Sequence, residues 1–219
     1  MPKHVGFLRE RSVMWKAFRK DFFHTGSLMP SSKALGRELA ASLKGQRPPA
    51  RILEIGAGTG PVTAQILPLL QPGDQLDVVE INQEFVQLLC QRFQVESPAR
   101  LDSPPAPLRF LHAPVQDLPG QGIYQHLISG LPFNNFPIRL VRSIWDSIHR
   151  LAAPGATFAF FEYVAIREMK MPFVKPTEKK RLQLVGRHLQ KEIKQFQTRA
   201  RKVFLNVPPA IVHHLVLHQ

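Results

Sequence analysis

The chain has 219 residues, of which 44% are hydrophobic, and its 29 Lys and Arg against 16 Asp and Glu give a net charge of +13. That length allows one decorated domain or two small ones, and the apolar fraction excludes wholesale disorder. No stretch reaches the roughly 18 uninterrupted apolar residues of a membrane span, no secretory leader is visible, and the single cysteine, Cys90, excludes a disulfide framework or a cysteine-based zinc site.

In chain order, residues 5–23 read as an amphipathic helix. Phe7, Leu8, Met14, Trp15, Phe18 and Phe22 share about one third of its wheel, while Arg9, Lys16 and Lys20 lie opposite. Pro30-Ser31-Ser32 opens a second helix, Lys33 to Leu43, with a serine at its N-cap. From Arg51 strands and helices alternate. Strands are expected at 51–55, 76–80, 109–112, 125–129 and 157–166, and helices at 61–70, 83–93 and 138–151. A basic helix at 177–198 leads into a closing strand pair at 202–207 and 211–217. The alternation predicts an α/β fold built on a mostly parallel sheet. Residues 1–47 are expected to form a leading helical segment and 48–219 the main domain.

Charge is unevenly spread. Residues 1–50 hold ten basic and three acidic side chains, 51–165 hold seven and ten, and 166–219 hold twelve and three. A slightly acidic body with two basic ends suits a polyanionic partner, either an anionic membrane surface or nucleic acid.

The strongest chemical signal is Glu54-Ile55-Gly56-Ala57-Gly58-Thr59-Gly60, placed between a strand and a helix. Glycines there admit a ligand close to the backbone, and the helix start offers free N–H donors. Glu80 ends the next strand, with Ile81 beside it, where an acid can accept the two hydroxyls of a ribose. The G-x-G-x-G spacing, with proline at 61, departs from the dinucleotide pattern G-x-G-x-x-G and resembles the S-adenosylmethionine loop of class I methyltransferases. In those enzymes the position of Gln116-Asp117 serves the adenine amino group. Ser129-Gly130-Leu131-Pro132-Phe133-Asn134-Asn135, at the end of the fourth strand, faces the methyl group in such a sheet.

Ser129-Gly-Leu-Pro, Pro30-Ser31-Ser32 and Asn206-Val-Pro-Pro-Ala together resemble the bacterial phospholipid N-methyltransferases that associate with membranes, to which the ornithine lipid N-methyltransferases are closely related. The resemblance implies a Rossmann-like class I fold with a seven-stranded sheet and helices on both faces. It implies S-adenosylmethionine as methyl donor, S-adenosylhomocysteine as product, and stepwise methylation of phosphatidylethanolamine towards phosphatidylcholine, or of the ornithine lipid amine. Cofactor contacts then fall to Glu54, Gly56, Gly58, Gly60, Glu80, Ile81, Gln116 and Asp117. Ser129, Gly130, Leu131, Asn134 and Glu162 become the catalytic candidates, Glu162 because it interrupts an apolar strand. Arg9, Trp15, Lys16, Phe18, Lys20, Ser31 and Ser32 are the candidate lipid and membrane contacts, and the chain is expected at the inner face of the cytoplasmic membrane. Methyl transfer requires no metal, and the nine histidines show no metal-ligand spacing. His213-His214 simply alternate across a strand.

Two rivals stand beside this reading. An rRNA adenine dimethyltransferase shares the glycine loop and an N-L-P-aromatic motif, but the twelve residues after Val207 leave no room for its helical domain, which disfavours nucleic acid. A non-catalytic module on the same fold would have no need of Glu54, the three glycines and Glu80.

Overall fold

The computed structural model describes residues 32–164 and 176–217, with the side chains of 176 and 177 left out. The amphipathic segment carrying Arg9, Trp15, Lys16, Phe18 and Lys20, and Ser31 after it, lies outside these residues.

Helix α1, Lys33–Leu39, runs on into a 3-10 turn at Ala40–Leu43. Ser32 caps it: its Oγ accepts the Leu35 N–H at 3.1 Å, supplying one of the partners a first turn lacks. The body then follows as β1 (Arg51–Ile55), α2 (Thr63–Ile66), β2 (Gln75–Glu80), α3 (Gln83–Arg92), β3 (Leu108–His112) and β4 (Tyr124–Ser129). It continues through α4 (Ile138–Leu151), β5 (Ala152–Tyr163), α5 (Pro176–Phe196), β6 (Gln197–Val203) and β7 (Ala210–Leu217). The seven strands order as β3-β2-β1-β4-β5-β7-β6, parallel except for β7, which runs antiparallel between β5 and β6.

Strands β1 and β2 are buried almost throughout because helices cover both faces of the sheet. Successive β5 residues show the two layers. Ala159 and Phe161 join Leu35, Leu39, Ile66, Val86 and Leu89 in one apolar cluster. Phe158 and Phe160 face the other way, onto Trp145 of α4, with ring centroids 5.2 and 5.5 Å away. Helix α4 earns its place by periodicity: Leu140, Val141, Ile144, Trp145, Ile148 and Leu151 are all buried. Residues 33–43, which the sequence assigned to the leading segment, pack in the same cluster as Ile52 and Val78.

Several boundaries move. The helix expected at 61–70 is only Thr63–Ile66 with a 3-10 turn at Leu67–Leu69, since Pro68 cannot donate the bond that would extend it. The strand expected to reach 166 ends at Tyr163, and the closing pair begins at Gln197 rather than 202. Residues 204–209 are the turn of that pair, so the strand expected to reach 207 ends at Val203.

Candidate active site

The glycine loop leaves the carboxyl end of β1 and is held from two sides. From β2, Glu80 accepts the Gly58 N–H on Oε2 and the Asn82 N–H on Oε1, both at 2.9 Å. From β4, the Gly130 N–H donates to the Ile55 carbonyl at 2.9 Å. A Cβ on Gly130 would stand 2.6 Å from the Gly56 carbonyl oxygen, so only glycine lets the two loops touch. Leu131 then lays its side chain over Gly56. Two motifs about seventy residues apart are thus one structure.

Gly58 has φ +57°, and a Cβ built there meets nothing within 4 Å. The loop at this point borders open space, which a side chain would fill. Beneath it Glu54 is completely buried. Burial pushes its carboxyl up to about 8; the nearby Thr63 eases that in part. Thr63 forms no well-directed hydrogen bond, so neither Glu54 oxygen has a partner among the described residues. Burial also raises the Glu80 carboxyl, against the backbone N–H groups of Asn82, Gly58 and Ile81 that favour its charged form. An open cradle with the Glu80 carboxylate bonded to its backbone fits a ligand with hydroxyls, and a buried carboxyl that a nearby cation would ionise fits one with a positive charge; S-adenosylmethionine has both.

The remaining candidates divide. Ile81 follows β2, and its carbonyl lies 3.0 Å from the His112 ring nitrogen. Asp117 is exposed in a 3-10 turn after β3. Gln116 donates to Ser143 Oγ on α4 at 3.2 Å. Ser129 is fully buried and its Oγ accepts the Leu131 N–H at 3.2 Å, which makes it the hinge of the turn. Ser32 is occupied by its helix cap, and its N–H donates to Asn206 Oδ1 at 2.9 Å. Gly60, by contrast, packs against Leu89 and Phe93 of α3 and its following turn.

Beyond the carboxyl ends of β4 and β5 lies a polar cluster the sequence revealed only in part. Asn134 Nδ2 donates to Glu162 Oε1 at 3.2 Å, and His213 Nε2 lies 3.3 Å from Glu162 Oε2. The other His213 nitrogen, Nδ1, is 2.6 Å from Gln197 Oε1. With that amide oxygen as acceptor, Nδ1 carries a hydrogen, and Nε2 faces the carboxylate as a donor when the ring is protonated and as a lone pair when it is neutral. Asn134 Oδ1 and His213 Nε2 are both buried without a hydrogen bond among the described residues. Phe160 stacks on the His213 ring at 5.0 Å. From α5, Arg181 donates to the Asn134 and Phe136 carbonyls at 3.1 and 3.3 Å and fixes the loop. Glu162 therefore has Asn134 and His213 as its partners. His213 was missed because its meeting with Glu162 depends on the antiparallel register of β5 and β7, in which Phe160 faces His213.

The chain is 34% identical over 148 residues to the ornithine lipid N-methyltransferase of Singulisphaera acidiphila, a match covering 64% of this chain and 73% of that protein. The chain belongs to the class I lipid N-methyltransferase family. Among solved structures, it is similar to the 1,6-didemethyltoxoflavin-N1-methyltransferase of Burkholderia thailandensis, bound to its substrate and S-adenosylhomocysteine. That likeness has a TM-score of 0.61 and 17% identity, covering 96% of this chain and 90% of that one. A methyltransferase of Aquifex aeolicus gives 0.55 and 11%, covering 83% and 89%. No family model matches. The methyltransferase depends on S-adenosylmethionine, as the family does, and the strand order and antiparallel β7 are those of class I. No helix among the described residues is long and apolar enough to cross a membrane.

Proposed function

We propose that this methyltransferase acts on the amine of a membrane lipid, with the ornithine lipid amine first and phosphatidylethanolamine second. The observation that carries the reading is the cluster of Glu162, Asn134 Oδ1 and His213 Nε2. It is a carboxylate with Asn134 Oδ1 and His213 Nε2 buried beside it, neither of them hydrogen-bonded among the described residues, and with the ring neutral it offers an ammonium several acceptors for its N–H bonds. The sequence relative supports the lipid, since its named substrate is one.

An alkylammonium with an ordinary pKa near ~10 has no lone pair to attack with at neutral pH. Glu162 and Asn134 hold the nitrogen by its hydrogens, and Glu162 takes the proton that must leave. His213 Nε2, facing the far oxygen of Glu162, shares that proton and so keeps the carboxylate ready; Gln197 fixes the tautomer this needs. Bound S-adenosylmethionine supplies an electrophilic methyl group. Gly58 would give it room and Glu80 would receive its ribose, while its positive charge would favour the ionised form of Glu54, whose carboxyl burial otherwise raises to about 8. Gly130 and Leu131 press the acceptor loop against the cofactor loop, which shortens the path between the two substrates. The basic amphipathic segment, with Arg9, Trp15, Lys16, Phe18 and Lys20, rests on the anionic inner leaflet, where each basic residue contributes about 1 kcal/mol.

The test is methyl transfer to vesicles containing ornithine lipid, vesicles containing phosphatidylethanolamine, and ribosomal RNA. Transfer to a lipid amine is expected. Transfer to RNA alone would overturn the reading. His213→Gln should lower kcat on lipid by about 10²-fold at neutral pH. The deficit should shrink as pH approaches the amine's own pKa; a pH-independent deficit would leave His213 a packing residue only.

A further inference from the structure

The turn between β6 and β7 is out of keeping with the rest of the surface. Phe204, Leu205 and Val207 are 71%, 82% and 64% exposed, and apart from Leu88 they are the only exposed large apolar side chains among the described residues. They are not the fringe of a loose loop. Asn206 sits between them 3% exposed, its Oδ1 accepting the Ser32 N–H and its Nδ2 donating to the Pro208 carbonyl at 2.8 Å. The Val164 N–H donates to the Pro209 carbonyl at 2.7 Å. A buried asparagine therefore anchors a tip whose apolar side chains point to solvent. Strand β6 is an exposed sheet edge guarded by charge at Arg199, Arg201 and Lys202, the usual protection against unwanted pairing. That protection stops where the apolar tip begins.

Position bears on what meets the tip. Val203 pairs with Ala210 and Ala210 with Tyr163, so residues 204–209 continue past the carboxyl edge of the sheet, beside Glu162. The tip therefore stands past that edge, where an apolar cluster flanked by basic residues would meet the headgroup boundary of a bilayer. Charge agrees. Arg201 and Lys202 are exposed on the hairpin, and Lys179 and Lys180 are exposed at the start of α5, next to the Arg181 that holds the acceptor loop. The acids at this rim are engaged: Glu178 with Arg181, Glu162 with Asn134 and His213.

We infer that the β6–β7 hairpin tip, Phe204, Leu205 and Val207, inserts into the headgroup region of an anionic bilayer, with Arg201, Lys202, Lys179 and Lys180 on the lipid phosphates. The methyltransferase then meets its acceptor with the carboxyl end of the sheet against the membrane, and a lipid amine reaches Glu162 without its chains leaving the bilayer. This surface rests on the reading of the acceptor as a membrane lipid, but insertion is measured without any methyl transfer.

Cys90 is buried, so Leu205→Cys in the full chain places an environment-sensitive fluorophore at the tip alone. On vesicles of phosphatidylethanolamine and phosphatidylglycerol the emission should shift to the blue and be quenched by lipids brominated near the headgroup. Phe204→Ser, Leu205→Ser and Val207→Ser together should lower vesicle partitioning tenfold or more, with S-adenosylmethionine affinity and circular dichroism unchanged. Arg201→Gln with Lys202→Gln should lower it roughly fivefold per charge, and salt should mimic the loss. An emission unchanged by vesicles would overturn the inference. So would a tip already blue-shifted without vesicles, which would mean a second copy or another segment of the chain covers it. Insertion without any lipid methylation would leave this surface standing and sink the acceptor reading instead.

Discussion

Glu54 and Asp77 sit one register step apart on neighbouring strands, Leu53 facing Asp77 and Glu54 facing Val78, and both are essentially without exposure. Their surroundings are opposite. Burial alone would raise the Asp77 carboxyl, but Arg109 donates to both its oxygens at 2.7 and 2.8 Å, Tyr124 to one at 2.7 Å, and Arg51 lies 3.2 Å away, so it is held below the usual carboxylate range. Glu54 has no such company and rises to about 8. Asp77 belongs to the amino half of the sheet, where a cavity of about 260 Å³ is lined by these same arginines and the tyrosine, all of them already engaged by the acid. Glu54 belongs to the carboxyl end, where the glycine loop and the acceptor loop meet. One buried acid closes the structure on itself. The other stays mostly protonated at neutral pH, with no ion-pair partner among the described residues, so the two acids differ in their company rather than in their burial.

The largest effect expected from breaking this contrast is on the satisfied side. Asp77→Ala strands the Arg109 guanidinium, 8% exposed, without its counter-charge, and should cost about 3–5 kcal/mol of stability. The denaturant midpoint would show it, while the folded fraction binds S-adenosylmethionine as the parent does. A small midpoint shift would mean that water replaces the carboxylate.

Glu54→Gln should act in the opposite direction. A carboxyl raised to about 8 in the folded state favours folding in its protonated form. Its contribution is full below the unfolded value of 4.5 and is lost as pH rises through 8. The ligand-free variant should therefore unfold later than the parent at pH 8–9, by roughly 2–4 kcal/mol, and bind S-adenosylmethionine more weakly at every pH. Thermal melts with and without cofactor across pH 5–9 would decide it. A variant less stable than the parent at pH 9 would place a hidden partner on Glu54.

The smallest of the three concerns Glu80, which combines both roles because its oxygens accept the Gly58 and Asn82 N–H groups while facing the cradle. Glu80→Ala should weaken S-adenosylmethionine by about 1.5–3 kcal/mol, measured by calorimetry, and also lower stability, since two backbone donors lose their acceptor. An unchanged dissociation constant would remove Glu80 from the cofactor site and leave it a brace for the loop.

Much of this architecture was legible in the chain. Helix α4 matches its predicted span of 138–151, and strands β1 to β4 shift by a residue at most. Those elements declare themselves through their own apolar periodicity, which is a local property. The glycine loop after β1 was legible for the same reason: an acid, three glycines and a second acid ending the next strand lie within twenty-seven consecutive residues. What failed was whatever two distant segments decide together. The sequence did not show that Ser129 Oγ, fully buried, accepts the Leu131 N–H within its turn, or that Gln116 donates to Ser143 on α4. His213 looked like one of an idle pair until the β5–β7 register set it against Glu162, fifty-one residues earlier. Phe204, Leu205 and Val207 read as strand until the pairing of Val203 with Ala210 turned them into a protruding tip. A sequence determines periodicity, capping and the chemistry of a contiguous loop because these act over a few residues. Which side chains meet across a sheet, and which are left without a partner, is decided only when the strands choose their neighbours and register.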